Sequence, residues 1–193
     1  MSFLDALRHT LQFEGGYAHD PADRGGETFR GISRRNWPDW PGWPLIDRVK
    51  ARGALTARLV NAAFESDPEM ERMVAVFYQR HFWRPFEGLA APTRVLTKLF
   101  DTAVNVGVGG SVKMLQRAVK RLEPASTLLV DGAIGPQTRA AFAQVSTGPG
   151  GSEGFLQAFC REQEAYYRRI VGRSPGQAKF LKGWLRRAAW VPV

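Results

Sequence analysis

The sequence predicts a mainly α protein of the α+β kind, a bundle of helices with one small β or loop element after the first helix. Three observations carry this. Apolar residues recur at helical spacing along most of the 193 residues, the hydrophobic share of 44% is that of a globular chain, and the polar, glycine-rich stretch 17–33 interrupts the helical pattern after the first helix. Disordered and collagen-like architectures are excluded on the same composition.

The elements follow in order. Leu4, Leu7 and Leu11 share one face of a first helix that Ser2 caps, with Asp5 completing a capping box, and Gly15-Gly16 is the predicted stop. Residues 17–33 read as a loop with a short hairpin, Thr28, Phe29 and Ile32 being their β-type residues. Trp37-Pro38-Asp39-Trp40-Pro41-Gly42-Trp43-Pro44 carries too much proline for a helix and predicts an extended loop. Helices resume near residue 45. The plainest begins at Ser66-Asp67-Pro68-Glu69, where cap, first-turn proline and acidic residue stand in their favoured places, and Met70, Met73, Val74 and Phe77 give it a buried face.

A helix after Pro92 carries Val95, Leu96, Leu99, Phe100 and Ala103 and ends at Asn105-Val106-Gly107. Segment 111–122 follows with Val112, Leu115, Val119 and Leu122 in register. After the turn at 130–136, Pro136 opens a helix to about Val145, residues 146–152 (STGPGGS) form a flexible loop, and two last helices carry Phe155, Phe159, Tyr166 and Ile170, then Phe180, Leu181, Trp184 and Leu185.

Charge narrows the classes of partner. The chain has 27 Lys+Arg against 18 Asp+Glu, a net +9, which draws it to polyanions: nucleic acid, anionic lipid or the anionic polymers of a bacterial envelope. The basic residues are scattered in short runs such as Arg34-Arg35, Arg168-Arg169 and Arg186-Arg187, so no specific nucleic-acid partner is expected. Cys160 has no intrachain partner, which fits a reducing compartment. The longest apolar run, Met73-Val74-Ala75-Val76-Phe77-Tyr78, is far short of a membrane span, and Asp5, Arg8 and His9 interrupt the N-terminus where a signal peptide needs a continuous apolar core.

Several chemistries have no support. His9, His19 and His81 are widely spaced without an HxxH or HExxH pair, so no catalytic metal is expected. Cys160 lies on an apolar helical face beside Phe155 and Phe159 and reads as a buried structural thiol, and no phosphate-binding or nucleophile-elbow motif occurs. What remains is a cluster of carboxylates, Glu14, Asp20, Asp23 and Glu27, among glycines and aromatics. Glu14 is expected in the last turn of the first helix. There the negative end of the helix dipole, and burial beside Phe13 or Tyr17, raise its pKa toward what a general acid for glycosidic cleavage needs. An exposed glutamate without a role is the plainer alternative. Asp23, in a polar loop, is expected to stay ionised, and Thr28 has a hydroxyl able to hold a water beside it. Asp20-Pro21 reads as turn chemistry.

These residues carry a resemblance. Glu14-Gly15-Gly16-Tyr17, then Asp20-Pro21-Ala22-Asp23-Arg24-Gly25-Gly26-Glu27-Thr28, then Gly31-Ile32-Ser33, resembles the signature of the glycoside hydrolase family 108 N-acetylmuramidases, the phage- or prophage-type endolysins. Phe100-Asp101-Thr102-Ala103-Val104-Asn105-Val106-Gly107, Leu115-Gln116-Arg117-Ala118 and Val130-Asp131-Gly132-Ala133-Ile134-Gly135-Pro136-Gln137-Thr138 are similar to the predicted peptidoglycan-binding domain that follows in that family. Together they cover nearly the whole chain in the family's order. The resemblance implies a lysozyme-like catalytic part over 1–91 and a helical peptidoglycan-binding part over 92–193, packed into one globule. It also implies cleavage between N-acetylmuramic acid and N-acetylglucosamine, with Glu14 as the acid. Asp23, nine residues on, matches the phage-lysozyme spacing for the carboxylate that positions water. Thr28 comes one residue early for the threonine of that pattern. Asn105, at a helix end similar to the one facing the cleft in lysozyme-like folds, either binds an N-acetyl group or simply caps the helix.

The activity then expected is hydrolysis of cell-wall glycan, with catalytic residues Glu14, Asp23 and Thr28 and substrate-binding residues Tyr17, Tyr78, Trp83 and Asn105. Tyr78 and Trp83 divide evenly between lining a cleft and packing a core. Trp37, Trp40 and Trp43 either stack on sugars or pack on the protein's own surface. No cofactor is required. The expected partners are peptidoglycan glycan strands and anionic envelope polymers, and the expected state is a monomer. It is expected to be made in the cytoplasm and to act on the cell wall or periplasm after release by a holin or a dedicated exit route. Two alternatives stay open: a lytic transglycosylase using Glu14 alone, and a non-catalytic peptidoglycan-binding protein.

Overall fold

The computed structural model describes residues 2–12, 15–19, 26–53 and 56–192. Among them are nine α-helices and one three-stranded antiparallel sheet that follows the first helix, so the protein is mainly α. The chain divides into two compact units, Ser2–His81 and Phe82–Val193.

In the first unit, α1 (Phe3–Leu11) begins with the predicted capping box: the Ser2 hydroxyl accepts from the Asp5 N–H, and the Asp5 carboxylate accepts from the Ser2 N–H at 2.7 Å. It ends at Leu11, short of the Gly15-Gly16 stop that the sequence predicts, because the Gln12 N–H turns back to the carbonyls of His9 and Thr10 and closes the last turn. Glu14, expected in the last turn of this helix, lies outside the described residues. Within the stretch expected as a loop with a short hairpin, the described residues include three strands, β1 (Tyr17–His19), β2 (Glu27–Phe29) and β3 (Ile32–Ser33), paired in that order. Arg30 and Gly31, which link β2 to β3, both have positive φ, 45° and 80°. Those values suit the tight primed turns that match strand twist.

The Trp-Pro repeat, expected as an extended loop, is anchored on the fold by two buried tryptophans, and its end is helical. Trp43 opens α2 (Trp43–Ala51), with Pro44 at the helix start, two residues before the predicted resumption. Trp40 and Trp43 are buried and meet edge to face at 5.2 Å, and Trp40 stacks on Phe29 of β2 at 6.0 Å. The short α3 (Ala57–Ala63) packs against β1 and α2. Asp67 caps α4 (Pro68–Tyr78) by accepting from the Met70 N–H at 2.7 Å, as the sequence predicts, and Met70, Val74 and Phe77 are buried while Met73 is half-buried.

The second unit is helical throughout its described residues. α5 (Thr93–Val106) and α6 (Val108–Leu122) are separated by Gly107 alone, at φ 82°, so α6 starts three residues before the predicted 111. A single left-handed glycine turns the chain where the sequence suggests a longer link. Leu122, placed in register with the buried face, is exposed at the helix end. α7 (Pro136–Thr147) and α8 (Gly151–Arg173) leave only residues 148–150 between them, a shorter connection than the predicted loop 146–152. Gly150 and Gly151, both at positive φ, make the tight turn. The core is built from Leu99, Val112, Leu115, Val119, Phe155 and Phe159, each from a predicted apolar face, together with Phe142 of α7. α9 (Ala178–Ala189) closes on α8, with Trp184 stacked on Tyr167 at 5.3 Å.

Candidate active site

The segment that follows Glu14 is held from two sides. Gly16 lies so close to α3 that a Cβ there would fall 2.2 Å from Asn61 Oδ1, so no larger residue fits without moving Asn61. The same Oδ1 accepts the Tyr17 N–H at 2.6 Å, and Gly16 O accepts the Arg30 N–H at 3.0 Å. Arg30 O in turn accepts the Tyr78 hydroxyl at 2.7 Å, tying the β2–β3 turn to the end of α4. The glycine-tyrosine part of the motif is therefore a fixed mount on α3 and the sheet. Asn61 is a residue the sequence analysis missed. It stands 44 positions from Tyr17 with no local signal of its partner.

Tyr17 is buried and its hydroxyl donates to Glu27 Oε1 at 2.9 Å. Glu27 also receives Lys50 Nζ at 2.9 Å and Arg34 Nη1 at 2.9 Å, and Arg34 forks onto Asp47 at 2.6 and 2.7 Å. Burial pushes the Glu27 carboxyl up, but Lys50, Arg34 and Tyr17 together outweigh it and hold its pKa below the ordinary value of 4.5. Burial and the Glu27 carboxylate push the Tyr17 phenol up. Glu27 is thus an ionised, fully engaged carboxylate. That environment is the opposite of what a general acid needs. Lys50 and Arg34, which hold it, were not legible as its partners from the sequence.

Thr28 sits half-buried in the centre of β2, opposite Ala18 and Ser33. Strand alternation turns its side chain to the face away from Glu27 and Phe29. Glu14, Asp20 and Asp23 lie outside the described residues, so of the four clustered carboxylates only Glu27 has a described environment. Among the described residues no group of three or more His, Cys, Asp and Glu is placed to hold a metal.

Trp37 differs from its two neighbours in the Trp-Pro repeat. It is half-buried, 5.0 Å from Phe77 edge to face and 4.2 Å from the His81 ring, while its carbonyl accepts the Trp43 indole N–H at 2.7 Å. It borders a cavity of about 530 Å³ that Trp40, Met73, Val76 and Phe77 also line and that Arg72 and Arg80 flank. Burial, aided by Arg80, pushes the His81 pKa down and favours its neutral ring. Trp43 packs on the protein itself, while Trp40 and Trp37 both reach the cavity, Trp40 buried and Trp37 half-buried.

The remaining candidates belong to the second unit, apart from Tyr78, which is buried at the end of α4. Trp83 is buried with its ring 5.6 Å from Phe100, edge to face. Asn105 is exposed near the end of α5, where its Oδ1 accepts the Tyr167 hydroxyl at 2.7 Å, itself receiving Gln163 Nε2 at 3.0 Å. With its oxygen so held, Asn105 presents its amide NH₂ as its available donor. Cys160 is half-buried, and burial pushes its thiol up, away from the reactive range.

The motif at 115–138 has a structural account. Gln116 Nε2 donates to Asp131 Oδ1 (2.7 Å), Ala133 O (3.1 Å) and Thr138 Oγ1 (3.2 Å), while its Oε1 accepts the Gly132 N–H at 2.9 Å. Asp131 also accepts the Ala133 N–H at 2.8 Å, and these bonds hold its carboxyl below the ordinary range. One buried amide thus clasps the whole turn before α7.

The chain matches the family model Glycosyl hydrolase 108 over residues 7–107 and the model Predicted Peptidoglycan domain over residues 110–189. No curated protein matches the chain. Among solved structures it is similar to the one titled "Structure of Brucella abortus SagA", with a TM-score of 0.58, 23% identity, and coverage of 96% of this chain and 92% of that one. At that identity the likeness speaks for the fold. The first match spans more than half the chain and contains the anchored Gly16-Tyr17 segment and the Glu27 network, and the second contains the Gln116 clasp. The protein is therefore a member of the glycosyl hydrolase 108 family, a glycoside hydrolase of peptidoglycan with a C-terminal peptidoglycan domain.

Proposed function

We propose that the protein is a muramidase that cleaves the glycan of peptidoglycan between N-acetylmuramic acid and N-acetylglucosamine, with Glu14 as general acid. The observation that carries this is the fixed mount next to Glu14, where Gly16 presses on Asn61 and Tyr17 is bound through both its N–H and its hydroxyl. A catalytic carboxyl needs such rigid support, because small displacements cost large factors in rate. The engagement of Glu27 with Lys50 and Arg34 removes it as a competing acid.

In this mechanism Glu14 protonates the leaving glycosidic oxygen. Asp23, with the Thr28 hydroxyl, steers a water to the anomeric carbon, and the carboxylate takes up its proton. Direct attack by water asks for carboxyls about 6.5–9.5 Å apart, and a covalent intermediate for about 5–5.5 Å. Tyr17 and Tyr78 serve by holding the sheet and α4 in place, Trp83 by packing on Phe100 of α5, and Asn105 by offering its amide N–H to an N-acetyl carbonyl. The protein works as a monomer without a cofactor. It reaches the cell wall or periplasm through a holin or another exit route, and its +9 charge attracts it to the anionic envelope.

Mass analysis of the products released from purified sacculi tests this. Fragments with reducing N-acetylmuramic ends, absent with Glu14→Gln, are expected. Anhydro ends instead would make the enzyme a lytic transglycosylase, and equal release by the variant would remove Glu14 as the acid.

A further inference from the structure

Between α6 and α8 lies a small cavity of about 210 Å³ lined by Gly110, Lys113, Arg117, Tyr166, Arg169, Ile170 and Arg173. Four of these seven residues are cationic. Lys113 and Arg117 stand four apart on α6, and Arg169 and Arg173 stand four apart on α8, so each helix carries a like-charge pair on the face that borders the cavity. Such pairs destabilise a helix, and setting two of them around one cavity adds to the repulsion.

No ion pair among the described residues offsets it. None of the four forms an ion pair, whereas elsewhere on the same helices Arg121 pairs with Glu162 at 2.5 Å and Arg168 with Glu164 at 2.7 Å. Carboxylates are thus present on α8 and stand elsewhere than at this cavity. Asp131, the acidic residue whose charge Lys113 influences, is already bound through Oδ1 by Gln116 and the Ala133 N–H. Gly132 further makes room for the Lys113 stem: a Cβ there would lie 3.1 Å from Lys113 Cε and 3.3 Å from its Cγ. Half-buried Tyr166 and Ile170 add an apolar wall beside the charges.

We propose that this cavity is a binding site for the carboxylates of a peptidoglycan peptide stem. Three features select that ligand among anions. The charges converge on a cavity too small for a duplex, guanidinium groups suit carboxylates, and the apolar wall fits the aliphatic part of a short acidic peptide. The proposal rests on the reading of the protein as a peptidoglycan hydrolase and names the part of the polymer that the C-terminal unit grips.

The test is cosedimentation of the full chain with purified sacculi at low temperature. The sacculi are used intact, and again after their free carboxyls have been converted to amides. The variants are Arg169→Gln/Arg173→Gln and, as a charge-matched control away from the cavity, Arg161→Gln/Lys182→Gln. Neutralising the pair is expected to weaken binding to intact sacculi about tenfold or more, the loss of one or two charge-assisted bonds. Amidation should weaken wild-type binding as much, with no further loss in the variant, and the control should bind as wild type. Removing the repulsion should also raise Tm by about 0.5–2 °C, which separates lost binding from lost folding.

Undiminished binding by the Arg169/Arg173 variant, or by wild type to amidated sacculi, would overturn the site while leaving the hydrolase reading intact. So would binding of duplex DNA that intact sacculi fail to compete away. Wild type that neither binds nor cleaves intact sacculi would instead overturn the reading beneath it.

Discussion

At Gly16 the space a side chain would need is already filled by Asn61, and the Tyr17 N–H depends on the same amide. Gly16→Ala should therefore lower stability by about 1–3 kcal/mol, the usual range for overpacking. It should lower sacculus hydrolysis per folded molecule as well, because the strain falls beside Glu14; thermal unfolding and turbidity loss measure the two effects. Glu27 behaves differently. Its folded pKa lies below the ordinary 4.5, so the stabilisation it gives is fully present above that value and is lost as pH falls through the depressed one. Glu27→Gln should cost about 1–2 kcal/mol at neutral pH, since the network is partly open to solvent and screened. It should also flatten the fall of Tm below about pH 4.5, which a series of melts in acid buffers would reveal.

Among elements, α5 and α9 meet through a lysine that an amphipathic pattern does not predict. Lys98 is fully buried, and its Nζ donates to the carbonyls of Arg187, Ala188 and Trp190 at 2.9, 3.0 and 2.7 Å, closing the C-terminal end of α9. Beside it Arg187 forks onto buried Asp101 at 2.9 and 3.0 Å. Lys98→Met keeps the volume and strands three carbonyls, so it should cost about 2–4 kcal/mol and expose the last turn of α9 to hydrogen exchange while α4 stays protected. The starts of α1 and α4 were legible because the signals lie within four positions of each other, Ser2 and Asp5 at α1 and Asp67, Pro68 and Glu69 at α4. The Lys98 and Glu27 partners were not, because they are 89 to 92 and up to 23 positions away, and burial of charge leaves no periodic mark. Gly107 and the Gly150-Gly151 pair show the same limit at turns: glycine announces a break but not its length.

For the molecule as a whole, the net charge of +9 ties function to ionic strength. Exposed charges are screened beyond about 10 Å at 0.1 M salt, so binding to sacculi and the rate of hydrolysis should both fall steadily as salt rises. A hydrolysis rate unchanged between low and high salt would show that the charge serves something else. The helical class and the place of the small sheet were legible, as was the family, because the periodicity and the motifs extend over the whole chain. The candidate site was legible as a cluster of residue types, but nothing in the pattern marks Glu27 as locked to two cations, Lys50 and Arg34. That engagement makes the central claim testable in one measurement: the rate of sacculus hydrolysis per folded molecule for Glu14→Gln and Glu27→Gln, side by side. If Glu14 is the acid, Glu14→Gln should fall by about a thousandfold with Tm and sacculus binding unchanged, and Glu27→Gln should lose stability but keep most of its rate. The reverse pattern, a dead Glu27→Gln beside an active Glu14→Gln, would contradict the account.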